Sequence, residues 1–452
     1  MNEIEKKALK KITPNANDRK KLEKIIKELK EKLKIEIEKR KLPIKIELVG
    51  STAKGTYLRN NLDIDYFLLF PTDFDKKDIA NYALSIGENI LTDTEQSYAE
   101  HPYLRGYFKD YFVEIVPSYK IEKASQKLSA VDRTPLHTSY IKKHLLEKQK
   151  SEVLLFKQFL RGIGCYGAEA EIEGFSGYLC EILVLKYKNF KNLLKNAQNW
   201  KNGKKLSLTK AKYPSFSSAL IFIDPVDKNR NVASALSKEK FNLFIKACRA
   251  YLKKPSIKFF FPNKIKPWSL DKIKKEIEKQ KSKYIAVKFD KPDIIDENIY
   301  PQLRKAVKAI SKICKRNDFY VYDITFYIDE KRKSIYFIIK TKDEFLYETF
   351  EHMGPPIKLK KNAENFKNKW KKDNRLVKGP YEKNKRIYVE IKRDFIDIKK
   401  FLNSQINKLS LGKDIDNIID KKFKILEQNE LINKNLEIFW TEYLDQKHSW
   451  ER

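Results

Sequence analysis

Residues 46–56 read IELVGSTAKGT, and residues 63–70 read DIDYFLLF. The first stretch is an apolar run with strand character that ends in Gly50-Ser51, and the second is an apolar strand that carries Asp63 and Asp65. Because side chains alternate along a strand, the two carboxylates leave the same face. The pattern predicts a divalent metal site beside a tight turn.

Such a site suits the transfer of a nucleotide from a triphosphate. Mg²⁺ neutralises phosphate charge and activates an attacking hydroxyl, and two ions about 3.5–4 Å apart need carboxylates that are close and parallel. Gly50-Ser51 leads into a helix start that favours an anionic phosphate, and Lys54 adds a charge there. A D-x-D triplet alone is weak evidence, but Gly-Ser before it at this distance makes a strong signal.

A third carboxylate stands in the segment 111–117, YFVEIVP, where Glu114 is the one charged residue of an apolar strand. An acid buried there without a partner costs several kcal/mol, so it needs a metal ion or an edge position. Strands near 103–108 and 111–116 are predicted to form a hairpin that delivers Glu114 beside the aspartate pair. The structural alternative is a glutamate on an edge strand that faces water.

Composition bounds the class of protein. The 452 residues, with 41% hydrophobic and 12% aromatic residues, predict a folded chain of about three domains. Lys and Arg number 95 against 61 Asp and Glu, a formal charge of +34. This excess favours a polyanionic partner such as nucleic acid, although a solubilising lysine-rich surface is the alternative.

The four cysteines, Cys165, Cys180, Cys248 and Cys314, lie far apart and match no zinc spacing, so reduced thiols in a cytosolic protein are expected. No apolar stretch is long enough to span a bilayer, and the acidic, lysine-rich start is not a signal peptide. We therefore expect a cytoplasmic protein without a membrane partner.

Periodicity gives a coarse map of the elements. A long helix is expected from an Asp18 cap to about Arg40, and another from about Asp75 to Leu91. Residues 222–233 read as a strand, a turn and a helix start. Between 283 and 340 the order strand, helix, strand, strand is a ferredoxin-like beginning, and residues 395–445 read as helical.

Six motifs follow one another between Val49 and Pro262. They are G-S-x-A with D-I-D, V-E-I-V-P, A-V-D-R-T-P-x-H, Y-G-A-E, G-F-S-G-Y-L and D-P-V-D-x-x-R-N-V-A. The first resembles the signature of the DNA polymerase β-like nucleotidyltransferases. In this order, the six resemble the archaeal, class I CCA-adding enzymes, which are tRNA nucleotidyltransferases.

The resemblance implies an α+β fold in three parts. Residues 1–137 would form a polymerase β-like nucleotidyltransferase head, and residues 138–262 a mainly helical central domain, or neck, for nucleotide recognition. Residues 263–452 would form a ferredoxin-like α+β region with terminal helices, the tRNA-binding body and tail.

The resemblance also implies roles for residues. Asp63, Asp65 and Glu114 would hold two Mg²⁺ ions, and Glu114 would accept the proton of the 3′-hydroxyl. The chain departs from the family, which usually has Glu at the first and Asp at the third of these positions, and Arg in place of Lys54. The implied nucleotide-binding residues are Ser51 and Lys54 for the triphosphate, His137, Lys157 and Tyr166 for phosphates and sugar, and Arg230 for the Watson–Crick edge of the base.

Each of these side chains has a structural alternative, because His137 could cap a helix, Lys157 could bury its stem, Tyr166 could pack and Arg230 could be solvated. Their joint occurrence favours the functional interpretation. The resemblance implies addition of C, C and A to the 3′ end of tRNA from CTP and ATP, with the acceptor stem and T arm bound by the basic C-terminal region. It also implies a homodimer as one state.

Two alternatives remain from the residues alone. One is a poly(A) polymerase or another terminal nucleotidyltransferase, and the other is an RNA-binding protein whose nucleotidyl site is inactive. The acid triad argues against the inactive site, and A-V-D-R-T-P-x-H with G-F-S-G-Y-L argues against the polymerase.

Overall fold

The computed structural model describes residues 1–59, 62–98, 101–210 and 212–452, which form two compact units. Unit 1 comprises Met1–Lys264 together with Lys447–Arg452, and unit 2 comprises Ile265–Gln446. Both units combine helices and sheets, which confirms the predicted α+β class.

Unit 1 begins with two helices and a five-stranded sheet, followed by a mainly helical region. Its elements are α1 (Glu3–Ile12), α2 (Ala16–Lys39), β1 (Lys45–Val49), α3 (Gly50–Lys54), β2 (Asp63–Phe70), α4 (Lys76–Glu88), β3 (Thr92–Tyr98), β4 (Pro102–Phe108), β5 (Tyr111–Tyr119), α5 (Arg133–His144), α6 (Glu147–Gly162), α7 (Gly177–Tyr187), α8 (Phe190–Ala197), β6 (Lys204–Leu206), β7 (Leu220–Phe222) and α9 (Lys238–Lys253).

The sheet of unit 1 has the order β1-β2-β5-β4-β3, in which β2 and β5 are parallel and the other neighbours antiparallel. The predicted β4–β5 hairpin is confirmed. Ile64 and Tyr66 point into a core that α2 and α4 cover, since strand side chains alternate. The intervening Asp63 and Asp65 therefore leave the opposite face, where the candidate site lies.

Two sequence predictions need correction, and one strand lies outside the predictions. Helix α2 is capped by Asn15, whose side chain accepts from the Asp18 N–H at 2.8 Å, while Asp18 accepts from the Asn15 N–H at 2.9 Å. Strand β3 was not predicted, because its residues are polar and mostly exposed at the sheet edge. The helix predicted to start within 222–233 is absent, because these described residues form a β-bridge and turns. The Asn231 side chain stabilises the turns: it accepts from the Phe222 N–H and donates to the Leu220 carbonyl.

The helical region of unit 1 packs around aromatic side chains. Phe159 lies 5.5 Å from Phe190 and 5.6 Å from Tyr251 between ring centroids, and all three rings are buried. The end of the chain returns to this region, where Trp450 stacks on Phe259 with a centroid distance of 5.3 Å. The buried cysteines are free thiols, as expected.

Unit 2 contains two sheets. Its elements are α10 (Leu270–Lys279), β8 (Lys283–Asp290), α11 (Asp296–Arg316), β9 (Val321–Ile328), β10 (Ser334–Thr341), β11 (Thr349–Pro356), α12 (Lys360–Lys371), β12 (Leu376–Lys383), β13 (Arg386–Lys392), α13 (Ile398–Gln405), α14 (Lys413–Ile419), β14 (Lys424–Leu426), α15 (Gln428–Leu431) and α16 (Glu437–Asp445).

The four-stranded sheet of unit 2 is antiparallel with the order β14-β8-β10-β9. The predicted succession of strand, helix, strand and strand is confirmed, and the order is that of a split βαβ, ferredoxin-like sheet. Its last strand, β14, interrupts the region predicted to be helical. The second sheet has the order β11-β13-β12. None of the helices in the described ranges combines the length and apolar composition needed to cross a bilayer.

Candidate active site

The three predicted carboxylates lie on two neighbouring parallel strands of unit 1. Asp65 on β2 is in register with Glu114 on β5, and Asp63 is in register with Phe112. Residues in register on neighbouring strands share a face, and so do residues two apart on one strand. Asp63, Asp65 and Glu114 are therefore presented on one face of the sheet.

These carboxylates repel one another. Burial, followed by the charges of Glu114 and Asp63, raises the pKa of Asp65 to about 7. Burial also raises the pKa values of Asp63 and Glu114, and the charge of Asp63 raises that of Glu114 further. A cluster of acids with raised pKa values is a site that a cation would stabilise.

Arg105 on β4 partly supplies that cation, and sequence reasoning missed it. Its Nε lies 2.9 Å from Oε1 of Glu114, because Arg105 and Glu114 are cross-strand neighbours in the β4–β5 hairpin. Among the residues that the structure describes, no three His, Cys, Asp or Glu side chains are gathered as a metal-holding group. The oxygen donors suit Mg²⁺, but joint ligation would require Glu114 to exchange Arg105 for the ion.

The predicted turn at Gly50 lies against the face of the sheet that carries the three carboxylates. Gly50 has φ +69°, a left-handed conformation that glycine adopts without strain. A Cβ built on Gly50 would lie 1.7 Å from Oδ2 of Asp65. The position thus requires glycine both for its backbone and for the close approach of the Asp65 carboxylate.

A cleft of about 500 Å³ opens beside this face. Four predicted site residues line it, namely Ser51, Asp63, Lys157 and Tyr166. The volume falls within the range of about 300–1,000 Å³ found for small-ligand pockets. The cleft therefore joins one carboxylate to three of the predicted nucleotide-binding residues.

Glu181 on α7, which sequence reasoning also missed, holds two predicted lysines. Its carboxylate lies 2.7 Å from Lys54 Nζ and 3.7 Å from Lys157 Nζ, and it accepts a hydrogen bond from Thr56 Oγ1 at 2.6 Å. Burial opposes ionisation of Glu181, but Lys54 and then Lys157 lower its pKa. Lys54 is thus committed to a buried ion pair, and it is not among the residues that line the cleft.

Asp224 forms a second buried network with His137 and Arg230. Its Oδ2 lies 2.8 Å from His137 Nε2 and 2.9 Å from Arg230 Nη1, and Tyr178 donates to Oδ1 at 3.2 Å. Burial would raise the pKa of Asp224, but His137 and Arg230, with the Val226 N–H, hold it at about 2. Burial lowers the pKa of His137, so its neutral Nε2–H donates to the Asp224 carboxylate.

Two of the sequence motifs meet at a second contact. Arg133 of A-V-D-R-T-P-x-H lies 3.3 Å from Asp227 of D-P-V-D-x-x-R-N-V-A. The neighbouring Asp132 is buried and accepts from Ser118 Oγ and from the Tyr119 and Ser129 N–H groups at 2.7–3.0 Å. These contacts fix the start of α5, and thereby the position of His137.

Comparisons with known proteins show which family the chain resembles. Three family models match successive segments of the chain: a nucleotidyltransferase domain at residues 22–137, the second domain of tRNA nucleotidyltransferase at 151–261, and the C-terminal domain of the CCA-adding enzyme at 280–428. The chain is similar over most of its length to three proteins named CCA-adding enzyme. That of Methanosarcina barkeri is 36% identical, covering 94% of each chain; that of Methanocaldococcus jannaschii is 35% identical, covering 94% of this chain and 96% of the relative; and that of Archaeoglobus fulgidus is 33% identical, covering 96% of each.

Proposed function

The chain belongs to the CCA-adding enzyme family, and from this premise we propose how its own residues carry out the family's reaction. It is a template-independent nucleotidyltransferase that adds C, C and A to the 3′ end of tRNA and releases pyrophosphate. Its substrates are tRNA and nucleoside triphosphates, and it requires a divalent metal. The observation that carries the proposed mechanism is the register of Asp65 with Glu114, with Asp63 on the same face.

We assign the metal to Asp63, Asp65 and Glu114, and we propose Mg²⁺ because its preferred ligands are carboxylate oxygens. When bound, the metal supplies charge neutralisation at the phosphates and activation of the attacking hydroxyl. Glu114 accepts the proton of the tRNA 3′-hydroxyl, whose oxygen bonds to the α-phosphorus as the bond to the leaving pyrophosphate breaks. The ion pair with Arg105 favours the ionised form of Glu114, against the burial that raises its pKa.

The cleft would bind the triphosphate and sugar of the incoming nucleotide. Ser51, Lys157 and Tyr166 line it and supply hydroxyl and ammonium donors. Lys54 and Glu181 form a buried ion pair next to the cleft. Lys157, which lines the cleft, is held in place by its hydrogen bond to the Thr56 carbonyl at 2.9 Å. The pairing of Lys54 supports a positioning role, in place of the direct phosphate contact predicted from the sequence.

Arg230 would read the base. Its guanidinium donates to Asp224, yet its side chain is 31% exposed, so further N–H groups remain available to the Watson–Crick edge of C or A. His137 supports Arg230 through the shared Asp224 carboxylate. This arrangement supports a positioning role for His137 in base recognition, in place of the contact with phosphates and sugar predicted from the sequence.

The remaining parts of the proposal concern the whole molecule. Basic residues of the C-terminal region would hold the acceptor stem and T arm by shape and phosphate contacts, as is usual for A-form RNA. The division into a head (1–137), a neck (138–262) and a body with tail (263–452), the homodimer and the cytoplasmic location stay predictions. A steep loss of tRNA affinity with rising salt would support the phosphate contacts.

The decisive experiment supplies tRNA that lacks its CCA end, each nucleoside triphosphate in turn and Mg²⁺, followed by sequencing of the ends. A defined C-C-A end with CTP and ATP is expected. An indefinite A tail would instead identify a poly(A) polymerase, and tight tRNA binding without extension would identify an RNA-binding protein.

A further inference from the structure

Arg161 is the neighbour of Lys157 on helix α6, one turn further along the same face. Both residues line the cleft with Ser51 and Tyr166. Lys157 is 2% exposed and donates to the Thr56 carbonyl, whereas Arg161 is exposed at the cleft. The two cations therefore differ in how far they are already engaged.

The charges around the cleft leave Arg161 available. Lys54 and Lys157 share the ionised Glu181, which offsets one of their two positive charges. In the part of the chain that the structure describes, no carboxylate lies within ion-pair distance of Arg161.

Tyr166 orients the Arg161 guanidinium. The guanidinium carbon lies 5.3 Å from the centroid of the Tyr166 ring, a cation–π contact between two residues of the same cleft. A planar guanidinium held in this way presents a fork of N–H donors that suits a phosphate in bidentate geometry.

We propose that Arg161 is a further nucleotide-binding residue, which contacts the β- and γ-phosphates of the incoming triphosphate. The inference rests on the proposed function of the cleft. The α-phosphate must lie at the carboxylate face, where the bond forms. Asp63 and Arg161 both line the cleft beside that face, so a triphosphate with its α-phosphate at Asp63 would extend its outer phosphates into the space that Arg161 lines. The cleft of about 500 Å³ falls within the size range of small-ligand pockets, which favours the triphosphate of a nucleotide as its occupant.

The test compares ligands that do and do not carry the outer phosphates. Equilibrium binding of CTP, pyrophosphate and CMP is measured in the presence of Mg²⁺ and without tRNA, for the wild type, Arg161→Ala and Arg161→Lys. Arg161→Ala is expected to raise the dissociation constants of CTP and pyrophosphate roughly 10- to 100-fold, as for the loss of hydrogen bonds between charged groups. CMP binding should change less than twofold, and Arg161→Lys should restore part of the affinity.

Arg249→Ala, which removes an exposed arginine of α9 that does not line this cleft, is the matched control and should change none of these constants. Unchanged pyrophosphate binding in a folded Arg161→Ala variant would overturn the proposal, as would an equal loss for CMP. A loss of tRNA affinity alone would assign Arg161 to the RNA instead. Failure of the wild type to extend tRNA would refute the proposed function, while the binding measurement would still decide the role of Arg161.

Discussion

The carboxylate pKa values shift in opposite directions on the carboxylate face and in the two buried networks of unit 1, which are centred on Glu181 and Asp224. On the carboxylate face, burial and like charges raise the pKa of Asp65 to about 7. In the networks, cations lower the pKa of Glu181 and hold that of Asp224 at about 2, although both carboxylates are buried.

The difference separates carboxylates that cationic side chains of the protein itself neutralise from carboxylates that mainly repel one another. Glu181 and Asp224 are fully paired, so they fix the lysines, His137 and Arg230 before any substrate arrives. Among the described residues, one ion pair, between Arg105 and Glu114, joins a cation to the carboxylate face, and a bound divalent cation would stabilise that face further. Variants that neutralise one carboxylate should therefore behave oppositely in the two regions.

The largest effect is expected from loss of the metal. Asp65→Asn, or chelation of divalent ions from the wild type, should lower the rate of CMP addition by about 10³-fold or more, since a metal contributes several kcal/mol to such a transition state. Affinity for tRNA should stay within about twofold, because tRNA is bound mainly through phosphate contacts. The exposed Asp73→Asn is the control, and extension by the Asp65 variant at the control's rate would refute the assignment of the metal ligands.

The next effect concerns Gly50. In Gly50→Ala the new Cβ would overlap Oδ2 of Asp65, so the carboxylate must move, and a displacement of about 1 Å can cost about 10²-fold in rate. Gly203→Ala is a matched control, because Gly203 also has a positive φ (+81°) and no atom lies within 4 Å of its Cβ position. If the rate of CMP addition fell equally in both variants, the loss would be due to backbone strain alone and not to the contact with Asp65.

A smaller effect concerns stability, and its sign differs between the regions. The pKa of Asp224 is about 2 in the folded state, below its ordinary value of 3.8. The ionised carboxylate therefore stabilises the fold at pH values above 3.8, and this contribution is lost as the pH falls toward 2. Asp224→Asn should therefore lower the free energy of unfolding at pH 7 by about 2 kcal/mol.

Asp65 has the opposite sign, because its pKa lies above the ordinary value. The folded state binds its proton more tightly, so Asp65 lowers stability progressively as pH rises from about 4 to above 7 in the absence of metal. Metal-free Asp65→Asn should melt at a higher temperature than the wild type at pH 8, and the difference should be several times smaller at pH 4.5. Melting temperatures at pH 8 that change in the same direction for Asp65→Asn and Asp224→Asn, relative to the wild type, would contradict the comparison.

The smallest effect concerns base choice. Arg230→Ala should raise the frequency of wrong nucleotides in the C-C-A end about tenfold, the worth of one hydrogen bond to a charged group, with little change in tRNA affinity. Sequencing of extended ends measures this frequency. Arg133→Ala, which removes the contact with Asp227 instead, tests whether disturbing the same loop without touching Arg230 has the same result. An unaltered product sequence in Arg230→Ala would count against its role.

The sequence predicted the carboxylate face well, because strand alternation needs only local information. Asp63 and Asp65 share a face by their spacing alone, and Glu114 was recognisable as a lone acid in an apolar strand. The same signal, a lone acid in an apolar segment, marks Glu181 within YLCEILVL, but helical spacing does not say which distant lysines it meets.

What the sequence could not predict depends on contacts between distant segments. Arg105 meets Glu114 only through the register of the hairpin, and Asp224 meets His137 across 87 residues of chain. The predicted helix start after β7 is replaced by turns. They form because the Asn231 side chain pairs with backbone groups on both sides of the turn, which local sequence preference does not show. Long-range polar pairing, and not local propensity, decided each of these places.

The return of the chain end to unit 1 gives unit 2 two covalent tethers instead of one. The chain leaves unit 1 after Lys264 and re-enters it at Lys447, where Trp450 is seated against Phe259. Cleavage by a protease at the exposed Tyr347 would leave the N-terminal part of unit 2 joined to unit 1 by the peptide chain. The C-terminal fragment would be held by packing within unit 2 and by the contact of Trp450 with Phe259. The nicked protein should therefore elute from a sizing column as one species until denaturant releases the C-terminal fragment.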